Sequence, residues 1–356
     1  MPCPYIPMPI FSATELKTAS RDLFVAAGAR ADDARIVAEA LVNANLAGHD
    51  SHGIMRIPSY VSWMEKGDIN VAAEFQVVSE SDAFAVVDGD WGFGQVMARK
   101  AMDLGIAKAR KAGVASLSVR GCAHIGRAGD YPIMAADAGL ASILFLNTHG
   151  AGSLVAPFGG IDRRLSANPI AIGVPRPDGN HIIVDISTCV VAEGKLRNFR
   201  TAGQPAPEGS IIDSEGRPTT DASKFYGPPE GSILPIAGHK GYALGLASDI
   251  LAGALSGAGC TREGETRIGN SFWATIIDPD QVRGRDDFDH DVTALVDWIK
   301  SSRKAEGVSE ILVAGEPELR TQAKREKEGI PVHVDTWAAI VESGKRHGLD
   351  LATPTS

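Results

Sequence analysis

The sequence predicts an α/β protein with a helical lobe assembled from both ends of the chain and a central lobe built on a sheet. Three observations carry this reading. Helix signals cluster near both termini, short strand-like runs fill the middle, and 356 residues exceed the size at which a single core usually stops growing. The expected division is 1–80 with 281–356 for the helical lobe and 81–280 for the sheet-containing lobe.

The elements follow in order. Ser12-Ala13-Thr14-Glu15 has capping-box spacing, in which hydroxyl and carboxylate satisfy each other's backbone amides, so a helix starts there. Ile36, Val37, Ala40, Leu41 and Ala44 mark one apolar helical face, and Gly48 is a natural terminator. His49-Asp50-Ser51-His52-Gly53 therefore falls in a loop just past a helix end, where functional groups concentrate. Segments 84–87, 114–119, 140–146, 170–174, 182–184 and 272–277 read as short strands, with a helix over 95–112. Val292, Leu295, Val296 and Ile299 keep helical spacing, a strand is expected at 310–313, and a last helix runs over 335–347 before Gly348.

Composition narrows the function classes. A formal net charge of −9 argues against a nucleic-acid partner. Cys3, Cys122, Cys189 and Cys260 form no C-x-x-C pair and suit a reducing cytoplasm. The opening MPCPYIPMPIF lacks the pattern of a signal peptide. Segment 241–259 is the most lipid-like, but its Asp249, serines and glycines predict a buried small-residue helix instead of a membrane span.

Four constellations could carry chemistry. A G-x-G-x-x-G fingerprint is missing; Gly92-Phe93-Gly94 comes nearest, but Met97 takes the third glycine position, so nothing supports a Rossmann domain. Ser51-His52 with Arg56 and Tyr60 offers an imidazole that titrates in the useful range and a guanidinium able to grip a carboxylate. The plain alternative is a helix cap and a surface pair. His124, in His124-Ile125-Gly126-Arg127-Ala128-Gly129-Asp130-Tyr131, is a second candidate acid/base or an ordinary turn histidine. Asp185-Ile186-Ser187-Thr188 ends a strand with short hydroxyls, and Gly238-His239-Lys240-Gly241 frames a cation before a helix. No nucleophile elbow, H-E-x-x-H or Walker loop occurs, and no metal cluster has ligand spacing. A serine hydrolase built on Ser51, His52 and Asp185 would lack an oxyanion-hole motif, and a non-redox dimeric binding module would leave these groups unexplained.

The stretches HDSHGIMRIPSYV, DGDWGFGQ, HIGRAGDY, NTHGAGSLVAPFGG, ANPIAIGVP, VDIST, GHKGYAL and GEPE, spanning about residues 10 to 345, form an ordered set. Together they resemble the malate/L-lactate/L-sulfolactate dehydrogenase family, which also includes ureidoglycolate dehydrogenase, 2,3-diketogulonate reductase and piperideine-2-carboxylate reductase. The resemblance implies a non-Rossmann homodimer whose central mixed sheet binds NAD or NADP. It also implies hydride transfer to or from a small 2-oxo/2-hydroxy acid, or reduction of a cyclic-imine carboxylate with NADPH. By motif, His52 is the proton donor, with His124 its competitor, Ser51 and Asp185 orient or relay, and Arg56 anchors the substrate carboxylate. Thr148, Asp185, Ile186, Ser187, Thr188, His239, Lys240, Gly315, Glu316 and Pro317 match positions lining the cofactor. Departures are Ser166-Ala167 where Gly-Thr is usual, Ala314 for a proline and Ala243 for a glycine.

Overall fold

The computed structural model describes residues 8–351, which leaves Cys3 and most of the opening segment outside the described residues. At its centre is a seven-stranded sheet: β1 Gln76–Glu80, β2 Phe84–Gly92, β3 Val114–Cys122, β4 Ala141–Asn147, β5 Ile170–Val174, β6 Ile182–Ile186 and β7 Asn270–Ile277. Its spatial order is β1-β2-β3-β7-β4-β5-β6. Only β2 and β3 run parallel, joined by the crossover helix Gly94–Ala112, and the neighbouring pairs are antiparallel. The fold is thus a mixed α/β arrangement around a central mixed sheet. The six strands expected between 84 and 277 form, and β1 joins them although its five residues are all exposed.

Helices from both ends share one hydrophobic cluster. Phe11, Leu16, Leu23 and Phe24 pack with Val37, Leu41, Tyr60, Phe93, Trp337 and Ile340. Ser12 caps the first helix, Ala13–Ala26, reciprocally with Glu15, as its spacing predicts. A second cluster fills the space between the sheet and its helices, with Val87, Leu117, Val119, Leu144 and Phe272 at its heart. A third gathers Val155, Leu165, Leu196, Ile211, Phe225 and Ile233 around a three-stranded sheet of two-residue strands.

Three expectations need correction. Segment 310–313 is not a strand, because its neighbour Ala314 offers β6 a single carbonyl bond, from the Ile183 N–H at 3.1 Å. Helix Arg285–Lys300 has the expected spacing, yet only Val296 is buried, and Leu295 and Trp298 are 55% and 77% exposed. The helix His239–Asp249 and the π-turn Ile250–Ala254 are buried on one side only. Gly241, Gly245, Ser248 and Gly253 face inward, while Leu244, Leu246, Ile250 and Leu255 are exposed. Small residues are what permit the close approach, since a Cβ at Gly253 would lie 2.3 Å from Asn147 Nδ2. Among the described residues, no helix is long and apolar enough to cross a membrane.

Candidate active site

The turn carrying His52 is shaped by a buried asparagine. Asn45, near the end of helix Ala31–Leu46, accepts the Ile54 N–H at 2.8 Å and donates to Asp50 Oδ1 at 2.6 Å. Between these bonds the chain folds into two 3₁₀ turns, Asp50–His52 and Ile54–Arg56, which lead into helix Ile57–Lys66. Gly53 is required at the junction, because a Cβ there would lie 2.2 Å from Asn45 Oδ1. Helix Glu316–Glu328 grips the same turn from outside. Arg325 makes bonds of 2.7 and 3.0 Å to the Asp50 carboxylate and a third to the Asn45 carbonyl, while Glu318 meets His49 Nε2 at 3.3 Å.

So held, the turn brings three candidate groups together. Ser51 Oγ lies 3.0 Å from His52 Nδ1. Arg56 rests its Nε on the Ser51 carbonyl at 2.7 Å, and its two terminal nitrogens have no hydrogen-bond or ion-pair partner among the described residues. His124 enters from the loop after β3 and stacks on His52, with ring centroids 5.6 Å apart and planes 14° from parallel.

The protonation of His124 follows from its neighbours. Gly126 N–H donates to Nδ1 at 3.3 Å, so that nitrogen carries a lone pair. Tyr60 receives a bond from Gln95 Nε2 at 2.9 Å and gives its own hydroxyl hydrogen to the same Nδ1 at 2.7 Å. Neutral His124 therefore keeps its proton on Nε2. Burial, then the nearby Arg56 charge, holds both imidazoles below their ordinary range, His52 down to about 3. Burial pushes the Tyr60 hydroxyl up to about 12, so it remains a donor.

Asp185 takes a different place from the one its assigned role suggests. It makes no hydrogen bond with His52 among the described residues. Its carboxylate accepts the Gly129 N–H at 2.8 Å and lies 3.8 Å from Arg127 Nε.

The other candidates fall into two groups. Ser187 and Thr188 both donate to the Ala167 carbonyl, at 2.9 and 3.0 Å, so neither caps a helix. Thr188 also accepts the Ile236 N–H, and Asn168 donates to Gly245 O at 3.1 Å, which ties this segment to the helix opening at His239. Lys240 is exposed and has no partner among the described residues, whereas His239 sets its ring edge-on to Phe158. Thr148 donates to the Ala151 carbonyl. In the second group, Ala314 and Gly315 lie against β6, which contains Asp185 and Ile186. Glu316 is already committed there: its carboxylate pairs with Lys300 and accepts the Val313 N–H at 3.1 Å, and Pro317 sits in the first helical turn.

The sequence reading passed over Asn45, Gln95, Arg127 and His149. Asn45 had left a signal, a polar residue four positions after Leu41 on the apolar face of its helix. His149, at φ 57°, accepts the Gly121 N–H at 2.8 Å and so braces the strand end that leads to His124. Nothing in its spacing announced that role. Among the described residues, no cluster of His, Cys, Asp or Glu is arranged to hold a metal ion.

Stacked imidazoles beside a guanidinium with two open nitrogens are an arrangement able to do acid/base work on a small anion. The comparisons with known proteins make that class specific: residues 11–341 match the malate/L-lactate dehydrogenase family, and the chain belongs to it. It is an oxidoreductase. Hydroxycarboxylate dehydrogenase B of Escherichia coli (strain K12) is 38% identical over 348 residues, covering 96% of each chain. The solved sulfolactate dehydrogenase of Methanocaldococcus jannaschii aligns with a TM-score of 0.88 at 35% identity, over 96% of this chain and 98% of that one. The delta1-piperideine-2-carboxylate reductase of Pseudomonas syringae pvar. tomato aligns with a TM-score of 0.84 at 29% identity, over 94% and 99%.

Proposed function

We propose that this enzyme transfers a hydride between NAD or NADP and a small 2-oxo/2-hydroxy acid. The observation that carries the reading is the unpaired end of Arg56 beside the His52–His124 stack. A guanidinium with two free nitrogens suits a carboxylate held by parallel hydrogen bonds. When bound, the nicotinamide nucleotide supplies or accepts the hydride at the acid's C2.

The chain's residues do the rest. Arg56 fixes the acid, which converts much of the barrier into prepaid orientation. His52 gives a proton to the substrate oxygen during reduction and takes it back during oxidation, with Ser51 holding its Nδ1. The acid's negative charge on Arg56 cancels part of the field that keeps the imidazoles neutral, so substrate binding makes a proton easier to hold there. His124 is the competing donor, its Nε2–H fixed by Tyr60 and Gly126.

Thr148, Asp185, Ile186, Ser187, Thr188, His239, Lys240, Gly315, Glu316 and Pro317 are the proposed cofactor lining. Two features fit a nucleotide: Lys240 has no partner among the described residues, and the buried Asn168 Oδ1 has no hydrogen bond. The division into a helical lobe (1–80 with 281–356) and a non-Rossmann nucleotide-binding lobe (81–280) is part of the same proposal. So are a homodimer, favoured by the exposed apolar residues of 244–255, and a cytoplasmic location, favoured by the free thiols Cys122, Cys189 and Cys260. A second reading, reduction of a cyclic-imine carboxylate, uses the same groups with nitrogen as the proton acceptor and draws on the likeness to the Pseudomonas reductase.

Turnover screening with both reduced nucleotides against 2-oxo acids and cyclic-imine carboxylates tests the proposal. His52→Ala should collapse kcat with little change in nucleotide affinity, and Arg56→Ala should chiefly raise KM for the acid. Near-normal turnover by His52→Ala together with loss in His124→Ala would exchange the two histidines' roles.

A further inference from the structure

Helix Glu316–Glu328 adds nothing to the buried core, since none of its 13 residues is buried. Its side chains reach instead for the turn that carries His52. Thr321 sets its methyl against Gly48, where a Cβ would lie 3.1 Å from Thr321 Cγ2. Glu318 meets His49, and Arg325 holds the Asp50 carboxylate with both terminal nitrogens, so the two residues leading into Ser51-His52 are each tied to this one helix. Arg325 also donates to the Asn45 carbonyl, which spans the end of helix Ala31–Leu46 and the turn together. From the inner side Asn45 Nδ2 holds the same Asp50. Ser51, next in the chain, is the shared support of the reacting groups: its carbonyl receives Arg56 Nε and its hydroxyl meets His52 Nδ1. A displacement of Asp50 therefore passes through Ser51 to the guanidinium and the imidazole at once.

From this chain of contacts we infer that Arg325 is a positioning residue for the reaction. It acts through Asp50 and Ser51, and fixes the turn so that Arg56 and His52 address the same small acid. Its pair with Asp50 is half open to water, the Asp50 side chain being 49% exposed, and such pairs add little to stability. Orientation is a different matter, because a misplacement of about 1 Å at a reacting group can cost about a hundredfold in rate. The inference rests on the hydride-transfer reading above.

The test is steady-state kinetics of the full-length enzyme with NADH and NADPH on pyruvate, 2-oxobutyrate and oxaloacetate. Nucleotide affinity by fluorescence titration and urea unfolding are measured beside it. Arg325→Met keeps the stem and removes the donors. It should lower kcat and raise the acid's KM together, by at least about tenfold in kcat/KM, with the nucleotide Kd held within about twofold. His52→Ala and Arg56→Ala each move chiefly one of these parameters, so joint movement marks a residue that places both groups. Arg325→Lys, which keeps the charge without the paired fork, should recover part of the loss. Asp50→Asn keeps an acceptor for Asn45 but turns an amide donor toward Arg325. It should lose in the same way, reads the pair even if Arg325→Met does not fold, and in combination should be no worse than Arg325→Met alone. Unchanged kcat and KM in the folded variants, a loss confined to the urea midpoint, or losses that simply add would overturn the inference while leaving hydride transfer standing. Turnover of no acid by wild type with either nucleotide would sink the hydride-transfer reading, and this inference with it.

Discussion

Replacing Gly53 with alanine probes how the turn bearing His52 is held. The Gly53 backbone, at φ −88° and ψ −155°, lies in extended space open to any residue, so alanine adds no backbone strain. The new methyl would instead fall 2.2, 2.4 and 2.6 Å from Asn45 Oδ1, Cγ and Nδ2, far inside contact distance. The amide can yield only by releasing Ile54 N–H and Asp50. Asp50 is exposed and keeps Arg325, but the buried Ile54 N–H and Asn45 amide would be left unpaired at about 1–3 kcal/mol each, so the substitution should destabilise by about 2–6 kcal/mol. That is a large part of the roughly 5–15 kcal/mol that holds a typical domain folded. Urea unfolding reads the change as a shifted midpoint at constant slope. Asn45→Ala sacrifices the same bonds but removes the obstacle, so the double variant should be no less stable than Asn45→Ala alone, a strongly non-additive result. A Gly53→Ala protein within about 0.5 kcal/mol of wild type, or costs that simply add, would refute this account of the turn.

Two further outcomes can be checked. Tyr60→Phe strands Gln95 Nε2 and leaves His124 Nδ1 only the longer Gly126 bond; it should cost about 1–3 kcal/mol in urea unfolding and lower kcat, and an unchanged kcat would detach turnover from the His124 tautomer. Stability should fall as the pH drops below about 6.5, the ordinary imidazole value. His52 and His149, pushed down to about 3 and about 4 mainly by burial, stay neutral in the folded protein while their unfolded counterparts take up protons, so their stabilising contribution is full above about 6.5 and is lost as pH falls toward those values. Asp130, pushed up to about 6 mainly by burial, works in the opposite sense, so His52 and His149 less Asp130 leave a loss on the order of 1.4 kcal/mol per unit between pH 6 and 4. His124, also held well below its ordinary range by burial, adds to that loss in the same direction. A flat series of urea midpoints across that range would mean that the imidazoles are already charged or well hydrated when folded.

Much of this was legible in the sequence, for reasons that differ by element. The strands of the central sheet announce themselves as short apolar runs, and the Ser12–Glu15 cap as a spacing. The two-residue strands of the small sheet are below the length at which alternation can be read. In Arg285–Lys300 the spacing of Leu295, Val296 and Ile299 defines a shared face, but spacing alone does not supply something to cover it. Within the site, Ser51, His52 and Arg56 lie close in sequence, so their meeting followed from one turn. The bond between Tyr60 and His124 joins residues 64 apart in the chain, and only the family resemblance had placed both in one site. The company Arg127 keeps was invisible for the same reason: that residue sits in the loop after β3, and Asp185 lies far along the chain on β6.

Helix Glu316–Glu328 has a consequence for the order in which this enzyme is made. The candidate proton-transfer groups have all been synthesised by Asp185, yet Arg325 still has to arrive to close around Asp50, and Trp337 and Ile340 to complete the core containing Phe11. Translation runs from the amino end, so a nascent chain holds every reacting side chain long before it can hold them still. Activity should therefore appear only after Arg325 and Ile340 have left the ribosome and docked.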